Sequence, residues 1–161
     1  MPESYSLITL GVFVAANFLA ASSGAIFKPG DWYKSLTKPG WTPPNWAFPV
    51  VWTTLFLMNA VAGWLVWEAS PPNDLLIFTA YGLSLAINAG WSALFFGMRR
   101  MDLSLVDVSA LWLSIALVMA LFAGVNMLAS ILLLPYLAWV SLAGILNFRM
   151  LQLNPRQSKG A

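Results

Sequence analysis

Five apolar runs, each longer than 20 residues, fill most of the chain, at about residues 5–27, 45–68, 74–98, 103–126 and 129–153. A helix rises about 1.5 Å per residue, so about 20 apolar residues cross the hydrocarbon of a bilayer. Each run is therefore long enough to span. Only 9% of the residues are charged and 60% are hydrophobic, whereas a soluble domain carries about 25% charged residues. Such a chain cannot cover its surface with polar groups in water, so lipid is its solvent. Three of the connections are short: ASPPN, RRMD and a few residues near Asn126. Short connections force neighbouring helices to run antiparallel. The expectation is one all-α membrane domain over residues 1–161, a five-helix bundle. The N-terminal MPESYS has no basic stretch and no small-residue cleavage site. The first run is thus expected to be a retained helix, not a signal peptide.

The one long connection, residues 28–44, reads KPGDWYKSLTKPGWTPP and repeats Lys-Pro-Gly at 28–30 and 38–40. Proline and glycine at this density break helices, which predicts a structured loop with one helical turn around Trp32–Leu36. All eight basic residues fall in three segments: Lys28, Lys34 and Lys38 in the long loop, Arg99 and Arg100 in the third connection, and Arg149, Arg156 and Lys159 near the C-terminus. Five spans put these segments on one side. Glu3, Glu68 and Asp74 mark the other. The positive-inside rule then predicts an outside N-terminus, with the basic loops and the C-terminus cytoplasmic.

The chemistry available is narrow. Cysteine and histidine are absent. That removes disulfides, zinc sites, Cys/His catalytic pairs and His-ligated haem, so no metal site is expected. A formal charge of +2 is too small to indicate nucleic acid. What remains is aromatic. Of the nine tryptophans, Trp64 and Trp67 suit the interfacial belt at helix ends. Trp52, Trp91, Trp112 and Trp139 lie deeper.

Helix faces sharpen the pattern. Trp52, Phe56, Asn59 and Gly63 share a face of the second span. Tyr81, Asn88, Trp91, Ser92 and Phe95 share a face of the third. Tyr136, Trp139, Ala143 and Asn147 share a face of the fifth. Opposite the aromatic face of the third span lies a ridge of small residues, Gly82, Ala86 and Gly90. Another, Ala16, Ala20 and Gly24, lies on the first. Small ridges let helices approach closely in lipid. The Gly82 ridge is expected to form a homodimer contact.

Amides at membrane depth, Asn59, Asn88 and Asn147, must face protein, water or ligand, because an unpaired amide in hydrocarbon costs several kcal/mol. Asp107 lies near the start of the fourth span, where a carboxylate complements the helix dipole. Pro49 and Pro135 sit within predicted helices and are expected to kink them. The converging aromatic faces predict a pocket in the basic half of the bundle, under the long loop. Its lining suits a flat, hydrophobic, partly polar ligand.

The loop and second span, with Lys28-Pro29, Trp32-Tyr33, Leu36, Lys38-Pro39, Trp41, Pro43-Pro44, Trp46, Phe48-Pro49 and Trp52, resemble the translocator protein/tryptophan-rich sensory protein family. Asn88, Trp91 and Phe95-Phe96-Gly97 resemble its third helix. Pro135-Tyr136-Leu137, Trp139 and Leu146-Asn147 resemble its fifth. The resemblance implies a five-helix, usually dimeric bundle. It implies binding of porphyrins such as protoporphyrin IX and haem, of sterols, and of benzodiazepine- or isoquinoline-type drugs, with no required cofactor. Together with the face pattern it predicts ligand contacts at Trp32, Trp41, Trp46, Phe48, Trp52, Asn88, Trp91, Phe95, Tyr136, Trp139, Ala143 and Asn147. Light- and oxygen-dependent porphyrin breakdown is implied for some members, with Trp52 and Trp139 as the catalytic pair. Receptor or carrier is the leading reading; porphyrin-degrading enzyme and ligand-responsive scaffold are the alternatives. The family's sterol motif is degenerate here. Leu146 and Phe148 are present, and Gln152 stands where a basic residue is usual.

Overall fold

The computed structural model describes residues 3–69 and 74–157. All its regular elements are helices: α1 (Glu3–Ile26), α2 (Asp31–Ser35), α3 (Ala47–Ala69), α4 (Leu75–Ser92), α5 (Met101–Ala123), α6 (Met127–Leu132) and α7 (Leu134–Leu153). A π-helical turn, Ala93–Gly97, continues α4. Five stretches are long and apolar enough to span a membrane: Tyr5–Ile26, Ala47–Ala69, Leu75–Gly97, Met101–Ala123 and Met127–Leu153. They match the five predicted runs to within a few residues. The helical turn expected around Trp32–Leu36 is α2.

Cap residues explain several boundaries. Asp74 Oδ1 accepts from the Ile77 amide, opening α4. Asn126 Oδ1 accepts from the Ala129 amide at 3.2 Å, opening α6. Both satisfy amides that a helix start leaves unpaired. The two prolines behave differently from one another. Pro49 lies in α3 as expected, but in its first turn, where its missing N–H was unpaired anyway, so it is accommodated without a kink. Pro135 breaks its span. Leu133 closes α6 by bonding Ser130 O at 3.1 Å, and Pro135 sits in the first turn of the new helix α7.

Helix α1 packs between α3 and α4, α4 packs on α5, and α5 packs on α6 and α7. The small ridge of α1 works inside the protomer: Ala20 is buried and Gly24 approaches Ser92. Glycine is required where helices touch. A Cβ on Gly63 would lie 2.7 Å from the Phe13 ring, and one on Gly97 would lie 2.8 Å from the Phe27 ring. Helix α6 closes the ring against α3 at the end opposite the basic residues. Below the break at Pro135, α7 touches α3 only lightly. The ring is closed in one half of the bundle and loose in the other.

Candidate ligand site between α3 and α7

The loose seam holds a groove of about 500 Å³, within the usual range of ligand sites, about 300–1,000 Å³. Val50, Val51, Thr54, Leu55 and Met58 of α3 form one wall. Pro135, Ala138, Trp139 and Leu142 of α7 form the other. The walls are apolar, and the Thr54 hydroxyl is already bonded to Val50 O at 3.0 Å. Below the groove, towards the loop, lies a niche of about 10 Å³ lined by Pro43, Phe48, Trp139, Leu142, Ala143 and Leu146. Trp139 and Leu142 border both spaces. The Trp139 ring packs edge-on against Phe48, with centroids 5.7 Å apart. Its indole N–H is buried and has no hydrogen-bond partner. An unmade hydrogen bond of this kind costs about 1–3 kcal/mol.

Behind this seam the predicted aromatics form two further groups. Trp52 packs on Phe56 at 5.6 Å and on Tyr136 at 6.1 Å. Asn88 Nδ2 donates to the Tyr136 hydroxyl at 2.7 Å, linking α4 to α7. Nearer the loop, Trp91 stacks on Phe95 at 4.9 Å, and Phe95 meets Trp32 and Tyr33. The π turn aims Phe95 and Phe96 together at α2, where Phe96 and Tyr33 meet at 5.4 Å. Tyr33, Leu36, Phe95, Met101, Leu146 and Met150 make this end a solid plug. Burial pushes the Tyr33 phenol above its ordinary pKa, and Lys38 Nζ lies 4.5 Å over its ring. Asn154 clasps the loop to the end of α7: it accepts from the Thr37 amide and donates to Thr37 O, both at 2.9 Å.

The structure thus gathers Phe48, Trp139 and Ala143 along the seam. Trp52, Tyr136 and Asn88 stand behind it, and the Trp32–Trp91–Phe95 group lies nearer the loop. Trp41 and Trp46 line neither space and are 47% and 70% exposed. Asn147 is also away from the groove. It bonds Ser104 Oγ at 3.1 Å and fastens α7 to α5. Asn59 serves a different junction. Its Nδ2 donates to Asn17 Oδ1 at 2.8 Å, Asn17 Nδ2 donates to Tyr81 OH at 2.6 Å, and Tyr81 OH donates to Asn59 O at 3.1 Å. All three predicted amides are therefore bonded between helices. Asn17, fully buried, carries the same signal as Asn59 and was not singled out from the sequence.

Asp107 is half-buried. Its Oδ2 is buried without a partner, and its Oδ1 lies 3.2 Å from where a Gly90 Cβ would be. Gly90 thus faces α5 within the protomer, whereas Gly82 and Ala86 are exposed. The ridge predicted to be continuous is split. The groove wall Val50, Val51, Thr54, Leu55, Met58 and Leu142 was also missed. Apolar side chains at membrane depth read alike whether they face lipid, protein or ligand.

Comparison with known proteins agrees along the whole bundle. The sequence model of the TspO/MBR family matches residues 9–153. The tryptophan-rich protein TspO of Chlorobaculum tepidum is 43% identical over 156 residues, covering 92% of this chain and 98% of that protein. The protein CrtK of Rhodobacter capsulatus is 38% identical over 152 residues, covering 93% and 95%. The translocator protein of Bos taurus is 36% identical over 162 residues, covering 96% and 89%. With five apolar spans in place and relatives matching nearly end to end, the chain is an integral, multi-pass membrane protein of the TspO/MBR family.

Proposed function

We propose that this protein is a membrane receptor or carrier for porphyrins, held at the α3–α7 seam against Trp139. One observation carries the reading: Trp139, which lines both an apolar groove and a niche, has a buried indole N–H without a partner. A buried donor without a partner is stabilised by any ligand that brings an acceptor. A porphyrin offers a large apolar face for Phe48, Trp52 and Trp139, and carboxylate acceptors at its rim. The absence of histidine and cysteine removes the strong axial ligands of haem iron. Recognition then rests on the ring face and its substituents. By the positive-inside rule, this reading puts the basic loop and the C-terminus on the cytoplasmic side.

Quenching of tryptophan fluorescence in detergent or nanodiscs tests this. Metal-free protoporphyrin IX should bind at least as tightly as haem, and Trp139→Phe, which keeps a ring but removes the N–H, should weaken both. A strong preference for haem, with a Soret spectrum of strong-field ligation, would refute the ring-face reading. Illumination in air belongs to the same series. Porphyrin loss beyond a protein-free control, abolished in Trp139→Phe, would move the reading from carrier to degrading enzyme.

A further inference from the structure

The groove is open sideways. Val50 on its rim is 58% exposed, although it lies in a membrane-spanning helix. In a bilayer the material beside that opening is lipid. Water has little to bond in the groove, because the one hydroxyl on its walls, on Thr54, is already bonded within α3. A void this large lined by apolar atoms forfeits dispersion contacts on every side. A hydrocarbon chain fills it at no polar cost.

The other routes to Trp139 are closed among the described residues. At the basic end, the plug of Tyr33, Leu36, Phe95, Met101, Leu146 and Met150 is tightly buried, and Asn154 pins the loop over it with two hydrogen bonds. At the opposite end, α6 seals against α3, and Asn17, Asn59 and Tyr81 tie α1, α3 and α4 together. The seam below Pro135 lacks both devices. No hydrogen bond between α3 and α7 side chains is present there among the described residues.

We infer that the α3–α7 groove is a lateral port, filled by a lipid acyl chain at rest, through which a ligand dissolved in the bilayer reaches Trp139. This rests on the ligand reading above and adds the route and the phase from which the ligand comes. Pro135 creates the port. By starting a new helix it frees α7 from the line that α6 follows along α3. The ligand class follows from the route: amphipathic molecules that partition into lipid, apolar enough to displace a chain and carrying an acceptor for the Trp139 N–H. A strongly water-soluble analogue that shuns the bilayer is a poor ligand even with the same ring.

The chain has no cysteine, so introduced thiols are the only ones. Thr54→Cys with Ala138→Cys places one thiol on each wall, and a short bis-maleimide bridges them. Thr37→Cys with Asn154→Cys, bridged likewise, locks the loop instead. The readout is stopped-flow quenching with protoporphyrin IX preloaded in phosphatidylcholine vesicles, against the same protein alkylated with N-ethylmaleimide. Bridging the empty groove should slow uptake at least about tenfold, since a required opening lowers an association rate, and bridging it after loading should slow release to ligand-free vesicles by a similar factor. Bridging the loop should leave both unchanged. Uptake that slows only in the loop-locked protein overturns the port and places the route at the basic end. Release that bridging the loaded groove does not slow also overturns it, because the ligand then leaves by another path. Absence of binding to every form removes the ligand reading itself. Folding of each form is read by size-exclusion elution before and after bridging. If the double-cysteine protein does not fold, Ala138→Trp, which fills the groove from one side, replaces it, and uptake should again slow at least about tenfold.

Discussion

Ala143 offers the sharpest test of where the ligand sits. It lies one turn after Trp139 on α7 and lines the niche of about 10 Å³ with Pro43, Phe48 and Leu146. Threonine there adds a methyl and a hydroxyl. That space does not hold two more heavy atoms, so the branch must press on Phe48 or on Trp139 itself. The hydroxyl can also bond back to the Trp139 carbonyl and bend the helix slightly. Either shift disturbs the edge contact between Phe48 and Trp139 at 5.7 Å. Such aromatic contacts are worth about 0.5–1.5 kcal/mol beyond their area. Together with the displaced indole N–H, Ala143→Thr should weaken porphyrin binding by about 1–2 kcal/mol, roughly 5–30-fold. Titration by fluorescence quenching measures it, with thermal unfolding followed by circular dichroism on the same preparation. Two companions separate the causes. Ala143→Val has the bulk without the hydroxyl, and Ala143→Ser the hydroxyl without the extra methyl. If Val reproduces Thr, bulk is responsible; if Ser does, the bend is. Unchanged affinity in all three, with a lowered melting temperature, would show that Ala143 only packs helices and would refute its place in the ligand wall.

Three further outcomes are expected. Asn17→Ala should cost about 1–3 kcal/mol, because it strands Asn59 and leaves a cavity; thermal unfolding measures this, and the Asn17→Ala, Asn59→Ala double variant should fall well short of additive. Arg99 is the one non-glycine residue with positive φ, 56°, among the described residues, so Arg99→Gly should hold or raise stability by up to about 1 kcal/mol while Arg99→Ala should not. On α4, Ala86→Leu should lower dimer content by native mass spectrometry without lowering the melting temperature. Gly90→Leu should instead destabilise the protomer, because its Cβ would crowd Asp107 at 3.2 Å.

What the sequence made legible follows from the kind of constraint each residue carries. Span number and approximate boundaries were readable because a hydrocarbon slab imposes one length on every helix. The pairing of Asn59, Asn88 and Asn147 between helices was readable as a necessity, because an amide at that depth must bond to something. Their partners were not, since Asn17, Tyr136 and Ser104 lie 42, 48 and 43 positions away. Partner choice depends on how neighbouring helices rotate against one another. The π turn at Ala93–Gly97 changes that rotation at the end of α4, and nothing local in ALFFG marks it. The prolines show the same divide. Pro49 and Pro135 are alike in composition and flanks, yet only the position of the true helix start makes one an ordinary first-turn residue and the other a break. That break decides the candidate site. An aromatic face on α7 would have packed flush against α3 had the fifth span run straight, and Trp139 would have been one more core residue. Because α7 restarts at Leu134, the seam stays loose where Trp139 meets it, and the indole N–H has no protein partner. The tryptophans were visible in the sequence as candidates. The space beside one of them, and so its capacity to take a ligand, comes from the break made by a proline four residues earlier.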